Sequence, residues 1–93
     1  MTTEEWQEKY SKFYAVANRI ADRRTERCRQ LAEEAGLDPT MFGLHANNAM
    51  CSYHYGKPWA GVDYAKVRQL LFLESHIFDG YHLLSKWSQR VRR

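Results

Sequence analysis

The main chemical signal in the sequence is a cluster of arginines in its first third: Arg19, Arg23, Arg24, Arg27 and Arg29. Three of them, Arg19, Arg23 and Arg27, follow one another at intervals of four, which places them on one face of a helix. A guanidinium group donates paired hydrogen bonds to a phosphate or a carboxylate. The row therefore predicts a contact surface for a nucleic acid or an acidic protein surface, bordered by Tyr14 and Asn18.

The same row also has an interpretation without a ligand. Like charges four residues apart on a helix repel by roughly 0.2–0.5 kcal/mol per pair. Asp22 and Glu26 lie within the row, and Glu74 or Asp79 from a C-terminal helix would neutralise it further. The alternative is thus a solvated helix face.

A second group of side chains suited to binding lies in the segment CSYHYGKPWAG, residues 51–61, which contains Tyr53, Tyr55 and Trp59. Aromatic rings that carry a polar atom are common anchors in interfaces. They also pack the open end of a small helix bundle, and the sequence favours that packing. Exposed rings would make this loop a second candidate contact surface.

Metal chemistry has one candidate, the H-x5-C-x2-H spacing of His45, Cys51 and His54. A structural zinc site usually needs four ligands in paired spacings, and no fourth ligand is adjacent. We therefore expect the two histidines to flank a turn and Cys51 to be a small buried hydrophobic residue. No metal and no cofactor is expected.

Catalysis has little support. Cys28 lies among arginines that would lower the pKa of its thiol, but no histidine partner can be placed beside it. His76 and His82 are six residues apart and do not share a helix face. A glycine-rich phosphate loop, a G-x-S-x-G elbow and an H-E-x-x-H motif do not occur. The protein is predicted not to be an enzyme.

The arginines must be positioned by a long helix. Residues 3–35 contain no glycine or proline, and Thr2 or Thr3 suits the N-cap. Apolar residues recur there at intervals of three and four: Trp6, Tyr10, Phe13, Ala17, Ile20, Leu31 and Ala35.

A second long helix is predicted from Val67 to Val91, with residues 61–63 as its boundary. Gly80 within it costs ~1 kcal/mol against alanine, which a closely packed neighbour would explain; a local bend is the alternative. Residues 36–61 read as turn, short helix, turn, and Gly43 weakens that short helix.

The chain of 93 residues is 44% hydrophobic and 27% charged, with a formal charge of +3, which is typical of one folded domain spanning residues 1–93. The predicted fold class is all-α: two long antiparallel helices, a helical hairpin, with a shorter helix packed between or across them as a small three-helix bundle. The antiparallel pairing would also bring opposite charges together, namely Glu4, Glu5 and Glu8 with Lys86, Arg90, Arg92 and Arg93.

Residues 28–45 resemble the helix-turn-helix of phage-repressor-type regulators, with LAEEAGL, residues 31–37, at the turn. The segment GKPWAGVDYAKV, residues 56–67, is similar to the loop and following helix in some of them. The residues at the matching positions are Leu31, Ala32, Ala35, Gly36, Leu37 and Phe42. The resemblance implies a DNA-binding transcriptional regulator that dimerises through its C-terminal helix, with four residues near base edges: Thr40, His45, Asn47 and Asn48.

Two features oppose that resemblance. Such a domain has a break between its first and second helices, whereas residues 3–35 contain no breaker, and residues 39–55 contain no lysine or arginine. Ordinary capping explains the same residues: Gly36 as a C-terminal cap, Leu37 as a hydrophobic staple, Asp38 as an N-cap and Pro39 as the first helical position.

The sequence thus favours a small non-enzymatic binding protein that engages a nucleic acid, or a protein complex that handles one, mainly through Arg19, Arg23, Arg24 and Arg27. In size and design it is similar to small phage or mobile-element inhibitors, anti-CRISPR proteins among them, and this likeness implies action by occlusion. A helix-turn-helix regulator and a structural interaction bundle are the alternatives.

Location and assembly are further expectations. Two cysteines without a secretory signal suggest reduced thiols in the cytoplasm, and the longest strongly apolar run, residues 70–73, is too short to cross a membrane. Phe72, Leu73 and Leu83 lie off the main apolar stripe, so they are either core or the surface of a homodimer.

Overall fold

The computed structural model describes residues 1–91, and within them every regular element is helical. The elements are α1 (Thr3–Ala35), a short 3₁₀ helix (Pro39–Met41), α2 (Phe42–His54), α3 (Tyr64–Glu74) and α4 (Asp79–Val91). The all-α class is confirmed. None of the helices in residues 1–91 is both long and apolar enough to cross a bilayer.

The long first helix is confirmed, since α1 runs for 33 residues without interruption. Thr2 caps it, because its hydroxyl oxygen accepts a hydrogen bond from the backbone N–H of Glu5 at 3.2 Å. Glu4 and Glu5 place negative charge in the first turn, where the helix dipole favours it.

The end of α1 is a Schellman cap. Gly36 has a φ of +87°, its N–H donates to the carbonyl oxygen of Glu33 at 3.1 Å, and the N–H of Leu37 donates to that of Ala32 at 2.8 Å. A Cβ on Gly36 would lie 2.8 Å from the carbonyl oxygen of Gly61. Backbone conformation and a close neighbour together require glycine here.

The next cap was also predicted. The carboxylate of Asp38 accepts from the N–H of Thr40 at 2.9 Å and from its hydroxyl at 2.6 Å, and Pro39 begins the 3₁₀ helix. These hydrogen bonds, first that of the hydroxyl, lower the pKa of Asp38. The segment after α1 therefore follows ordinary capping rules.

The second long helix is interrupted, which corrects the prediction of a continuous element. Residues 75–78 form turns between α3 and α4, and Gly80 lies in the first turn of α4, after the break. The hydroxyl of Ser75 donates to the carbonyl oxygen of Phe72 at 2.6 Å, and the N–H of His76 donates to that of Leu73 at 3.0 Å. These local bonds replace the helical ladder.

The chain forms two compact units. The first contains residues 1–23 and the chain from Ile77 onward, and the second contains Arg24–His76. Helix α1 contributes residues to each. The single-domain assignment stays a prediction.

In the first unit, α1 and α4 pack antiparallel. The rings of Trp6 and Trp87 lie 6.3 Å apart, and a Cβ on Gly80 would lie 3.0 Å from the Cα of Ala17. The N-terminal end of α1 therefore lies beside the C-terminal end of α4. The predicted close neighbour of Gly80 is thereby identified as Ala17.

The charges at the open end of this unit were expected to pair between helices. Glu8 pairs with Lys12 on its own helix, with 3.2 Å between Oε1 and Nζ. Arg92 and Arg93 lie outside the described residues. Pairing with α4 stays a prediction.

In the second unit, the C-terminal part of α1 packs antiparallel to α3. The thiol of Cys28 lies 3.9 Å from the carbonyl oxygen of Leu70, and the carbonyl oxygen of Ala35 accepts from the N–H of Asp63 at 3.1 Å. Helix α2 packs against α3. The buried side chains are mostly small: Cys28, Leu31, Ala32, Ala35, Leu37, Ala46, Ala49, Val67 and Leu70.

Candidate functional site

The five predicted arginines have different surroundings. Arg19 and Arg23 belong to the first unit, and the other three belong to the second. All are on α1.

Arg24 has a structural partner. Its Nη1 donates to the carbonyl oxygen of His76, in the turn that follows α3, and the side chain is part-buried. A guanidinium group held on a backbone carbonyl fixes the end of a helix and is withdrawn from the surface. Arg24 is therefore the predicted contact residue least suited to that role.

Arg27 and Arg29 are exposed but bonded to neighbours on α1. Nη1 of Arg27 lies 3.3 Å from Oε1 of Glu34, and Nη1 of Arg29 lies 3.4 Å from Oε2 of Glu26. Glu34 also pairs with Lys66 at 3.1 Å. The hydrogen bond from Lys66, more than that from Arg27, lowers the pKa of Glu34. Exposed pairs of this kind contribute only ~0–1 kcal/mol, so an anionic ligand can replace the carboxylates.

Arg19 and Arg23 are exposed one helical turn apart. The predicted border residues do not lie beside them. Asn18 accepts a hydrogen bond from the hydroxyl of Tyr81 on α4, and the ring of Tyr14 lies 5.8 Å from that of Tyr81. Successive helical residues are about 100° apart, so Asn18 is turned away from Arg19. Tyr14 and Asn18 belong to the contact between α1 and α4.

Tyr81 shows the effect of that contact. Partial burial, and then the charges of Tyr14 and Asp22, raise the pKa of its hydroxyl. It is a hydrogen-bond donor at neutral pH.

The aromatic loop is largely at the surface. Tyr55 is 85% exposed, and Tyr53 and Trp59 are also exposed. The guanidinium of Arg68 lies 5.7 Å from the ring centre of Tyr53, and the N–H of Trp59 donates to the hydroxyl of Tyr64 at 2.9 Å. Tyr53 lies on α2 and not in the predicted loop, and its ring packs against that of Tyr64 with 4.9 Å between ring centres. Tyr55 is therefore the most exposed of the three rings, which together remain the second candidate surface.

The remaining chemistry candidates are not assembled into a site. Within residues 1–91, no three histidine, cysteine, aspartate or glutamate side chains come together in a group able to hold a metal ion. Cys51 is exposed, so its assignment as a buried residue was wrong. His45 is half-buried and His54 is exposed, and both lie in α2, so the prediction that they flank a turn was wrong.

Cys28 has the opposite of the expected reactivity. Its side chain is fully buried, and burial, together with the charge of Glu74, raises its pKa to about 11. A thiol with this pKa is protonated at neutral pH and is a poor nucleophile. The neighbouring arginines do not activate it.

A feature that sequence reasoning missed is an apolar groove of about 240 Å³ in the first unit, between α1 and α4. It is lined by Phe13, Val16, Ala17, Ile20, Gly80, Leu83, Leu84 and Trp87. Three of these residues on α1 had been assigned to the core stripe. The available signal was the position of Val16 and Leu83, which are apolar but lie off the stripes of their helices.

Comparison of the chain with protein-family models, with curated proteins and with solved structures finds no match. Function is therefore inferred from the residues themselves.

Proposed function

We propose that this chain is a non-enzymatic binding protein that engages an acidic partner, either a nucleic acid or a protein that handles one, with Arg19 and Arg23 as its principal contacts. The observation that supports this is their exposure on successive turns of an uninterrupted helix. Two guanidinium groups at that spacing suit neighbouring phosphates or carboxylates.

The second unit supplies its own cations. Arg27 and Arg29 are exposed, and their partners Glu34 and Glu26 are held by weak surface pairs, so both are included in the proposal. Arg24 is left out because its hydrogen bond to His76 is structural.

The proposed mechanism is occlusion. Helix α1 has 33 residues and is thus about 50 Å long, which is enough to cover a functional surface of a larger partner. Such a protein would be of the inhibitor type, similar in size and design to small phage or mobile-element proteins such as anti-CRISPR proteins. Action in the cytoplasm belongs to the same proposal, and both cysteines are free thiols.

Binding to random-sequence duplex DNA, measured across a salt series, tests the proposal. Direct phosphate contact gives an affinity that falls steeply as salt rises, and R19E/R23E weakens it. K57E, a charge reversal at an exposed loop lysine, is the control for net charge.

The possibility that the partner is a protein is tested by affinity capture from host lysate with mass spectrometry, using the same variants. A captured protein that R19E/R23E loses and K57E retains identifies the partner. A folded R19E/R23E protein that keeps its nucleic-acid and protein partners unchanged contradicts the proposal and leaves a structural bundle.

A helix-turn-helix regulator is not favoured. Helix α1 is unbroken through Ala35, so the break between the first two helices of such a domain is missing. The candidate recognition residues Thr40, His45, Asn47 and Asn48 lie in a segment without lysine or arginine.

A further inference from the structure

The groove of the first unit has a floor of small residues and walls of large ones. Ala17 and Gly80 meet so closely that a Cβ on the glycine would lie 3.0 Å from the Cα of the alanine. Larger side chains rise on either side, with Phe13 44% exposed, Val16 43% and Leu83 67%. The close approach of the two backbones therefore creates a trough whose apolar walls remain open to solvent.

In the two helical segments that form this trough, every residue with a formal charge is a lysine or an arginine. From Lys9 to Ala21 and from Gly80 to Val91 the chain has five lysines and arginines and no carboxylate. They are Lys9, Lys12, Arg19, Lys86 and Arg90, and all five are exposed.

Their positions put them on the rims. With about 100° between successive residues, Lys9, Lys12 and Arg19 lie within about 60° of Val16 around α1. By the same measure, Lys86 and Arg90 lie within about 60° of Leu83 around α4.

Acidic neighbours cancel only part of the charge of these rims. Glu8, Asp22 and Asp79 lie at the ends of the two segments, and Glu8 bridges to Lys12 at 3.2 Å. Because Lys12 is paired, the positive charge of the α1 rim comes mainly from Lys9 and Arg19, and that of the α4 rim from Lys86 and Arg90.

We propose that this trough is the docking site for an amphipathic helix of a partner protein whose apolar stripe is flanked by acidic residues. This inference rests on the proposed function and specifies one form of it, in which the acidic partner is a protein. A helix lying between two antiparallel helices completes a three-helix layer, and its apolar residues at i, i+3 or i+4, and i+7 fill the trough. Its flanking carboxylates then meet the basic rims, which sets orientation and association rate.

The size of the trough fits such an occupant. Phe13 to Ile20 spans about 11 Å along α1, or two helical turns, and the basic rim from Lys9 to Arg19 spans about 15 Å. A helical occupant of roughly 10 residues or more covers that length.

A second copy of this chain fits less well. A twofold interface brings the same patch of both copies face to face, so the basic rims would lie against basic rims. Like charges in contact oppose that assembly.

The experiment uses a labelled 18-residue amphipathic peptide with leucines at i, i+3, i+7 and i+10 and glutamates on both flanks. A matched peptide has lysine in place of every glutamate. Fluorescence anisotropy on the full chain measures affinity, and the emission of Trp87, with Trp6 and Trp59 replaced by phenylalanine, reports occupancy of the trough. We expect the acidic peptide to bind, the basic one not to bind, and the Trp87 emission to shift to shorter wavelength.

Two groove variants, V16E and L83E, are expected to weaken binding of the acidic peptide at least about tenfold, because each places a carboxylate in the apolar contact. Both side chains are exposed, so the fold tolerates the change. L83Q tests loss of apolar contact without added charge. L44E is the matched control, since Leu44 is a 52% exposed leucine on α2 in the other unit.

The rim is tested on α4, away from the arginines of the proposed function. K86E and R90E are each expected to weaken binding by up to about fivefold at low salt, with the difference fading at high salt.

Equal binding of the two peptides, binding of neither, or unchanged binding by V16E and L83E overturns the inference. So does a dimer in sedimentation that L83E dissociates, since the occupant would then be a second copy. Loss of the peptide result leaves the DNA result for Arg19 and Arg23 standing. If R19E/R23E leaves the binding of DNA and of captured proteins unchanged while V16E and L83E still abolish peptide binding, the proposed arginine contacts are removed and the trough stands.

Discussion

Single residues in this protein have properties set by what surrounds them, and the two cysteines show this most clearly. Cys28 is fully buried and has a pKa of about 11, while Cys51 is exposed on α2. Arginines next to Cys28 in sequence favour a thiolate, yet burial and the charge of Glu74 have the larger effect. Proximity along the chain is therefore a poor guide to thiol chemistry here.

Thiol titration tests this difference. At pH 8, Ellman's reagent should modify one thiol of the folded protein rapidly and the other only after denaturation, because Cys28 is protonated and shielded. C51S should remove the fast phase, and C28A should keep it. Two equally fast thiols in the folded protein would contradict the burial of Cys28.

At the scale of elements, the helices end where local backbone chemistry ends them. The Schellman cap at Gly36 and the N-cap of Asp38 were both predictable, since each depends on residues within one turn. The turns at residues 75–78 have no glycine or proline, and they depend on hydrogen bonds such as that from Ser75 to Phe72. Apolar periodicity continues through that break, which is why it predicted one helix.

Replacing Gly36 by alanine tests the cap. Both Gly36 and Gly56 have positive φ, so alanine at either position should lower the free energy of unfolding by about 1–2 kcal/mol. G36A should lower the free energy of unfolding by roughly another 1–3 kcal/mol, because its Cβ would meet the carbonyl oxygen of Gly61. A Cβ on Gly56 meets nothing within 4 Å.

The measurement is urea denaturation followed by circular dichroism. G56A is the control for backbone strain alone. Equal losses for the two variants would show that the contact between residues 36 and 61 is not tight in solution.

At the scale of the whole molecule, two surface carboxylates contribute to the way stability changes at acid pH. Glu34 links α1 to Lys66 on α3, and Asp38 holds the first turn after α1. Both have a pKa lowered from its ordinary value, 4.5 for Glu34 and 3.8 for Asp38. In the folded state they thus keep their negative charge to lower pH than in the unfolded chain.

Stability should therefore be constant with respect to these two groups above about pH 5 and fall as the pH drops through 4.5 and below, because the unfolded state then binds protons that the folded state does not. E34Q and D38N should lower the melting temperature slightly at pH 7 and remove part of the acid dependence. Melting curves from pH 7 to pH 2.5 measure this, with E33Q at an exposed position on α1 as control. A wild-type curve and an E34Q/D38N curve that stay parallel over this range would contradict the assignment.

The all-α class, the helix from Thr3 to Ala35, its caps and the antiparallel order are predictable from residue types and spacing alone, because these features follow from apolar period and from hydrogen bonds within one or two turns. Which arginines stay at the surface depends instead on contacts between residues far apart in the sequence. Arg24 and Arg27 are three residues apart, yet one is bonded to the carbonyl oxygen of His76 and the other to the exposed carboxylate of Glu34. The apolar groove also depends on a long-range contact, because its floor forms where Ala17 meets Gly80. These two residues are too far apart in the sequence for residue spacing within one helix to predict their contact.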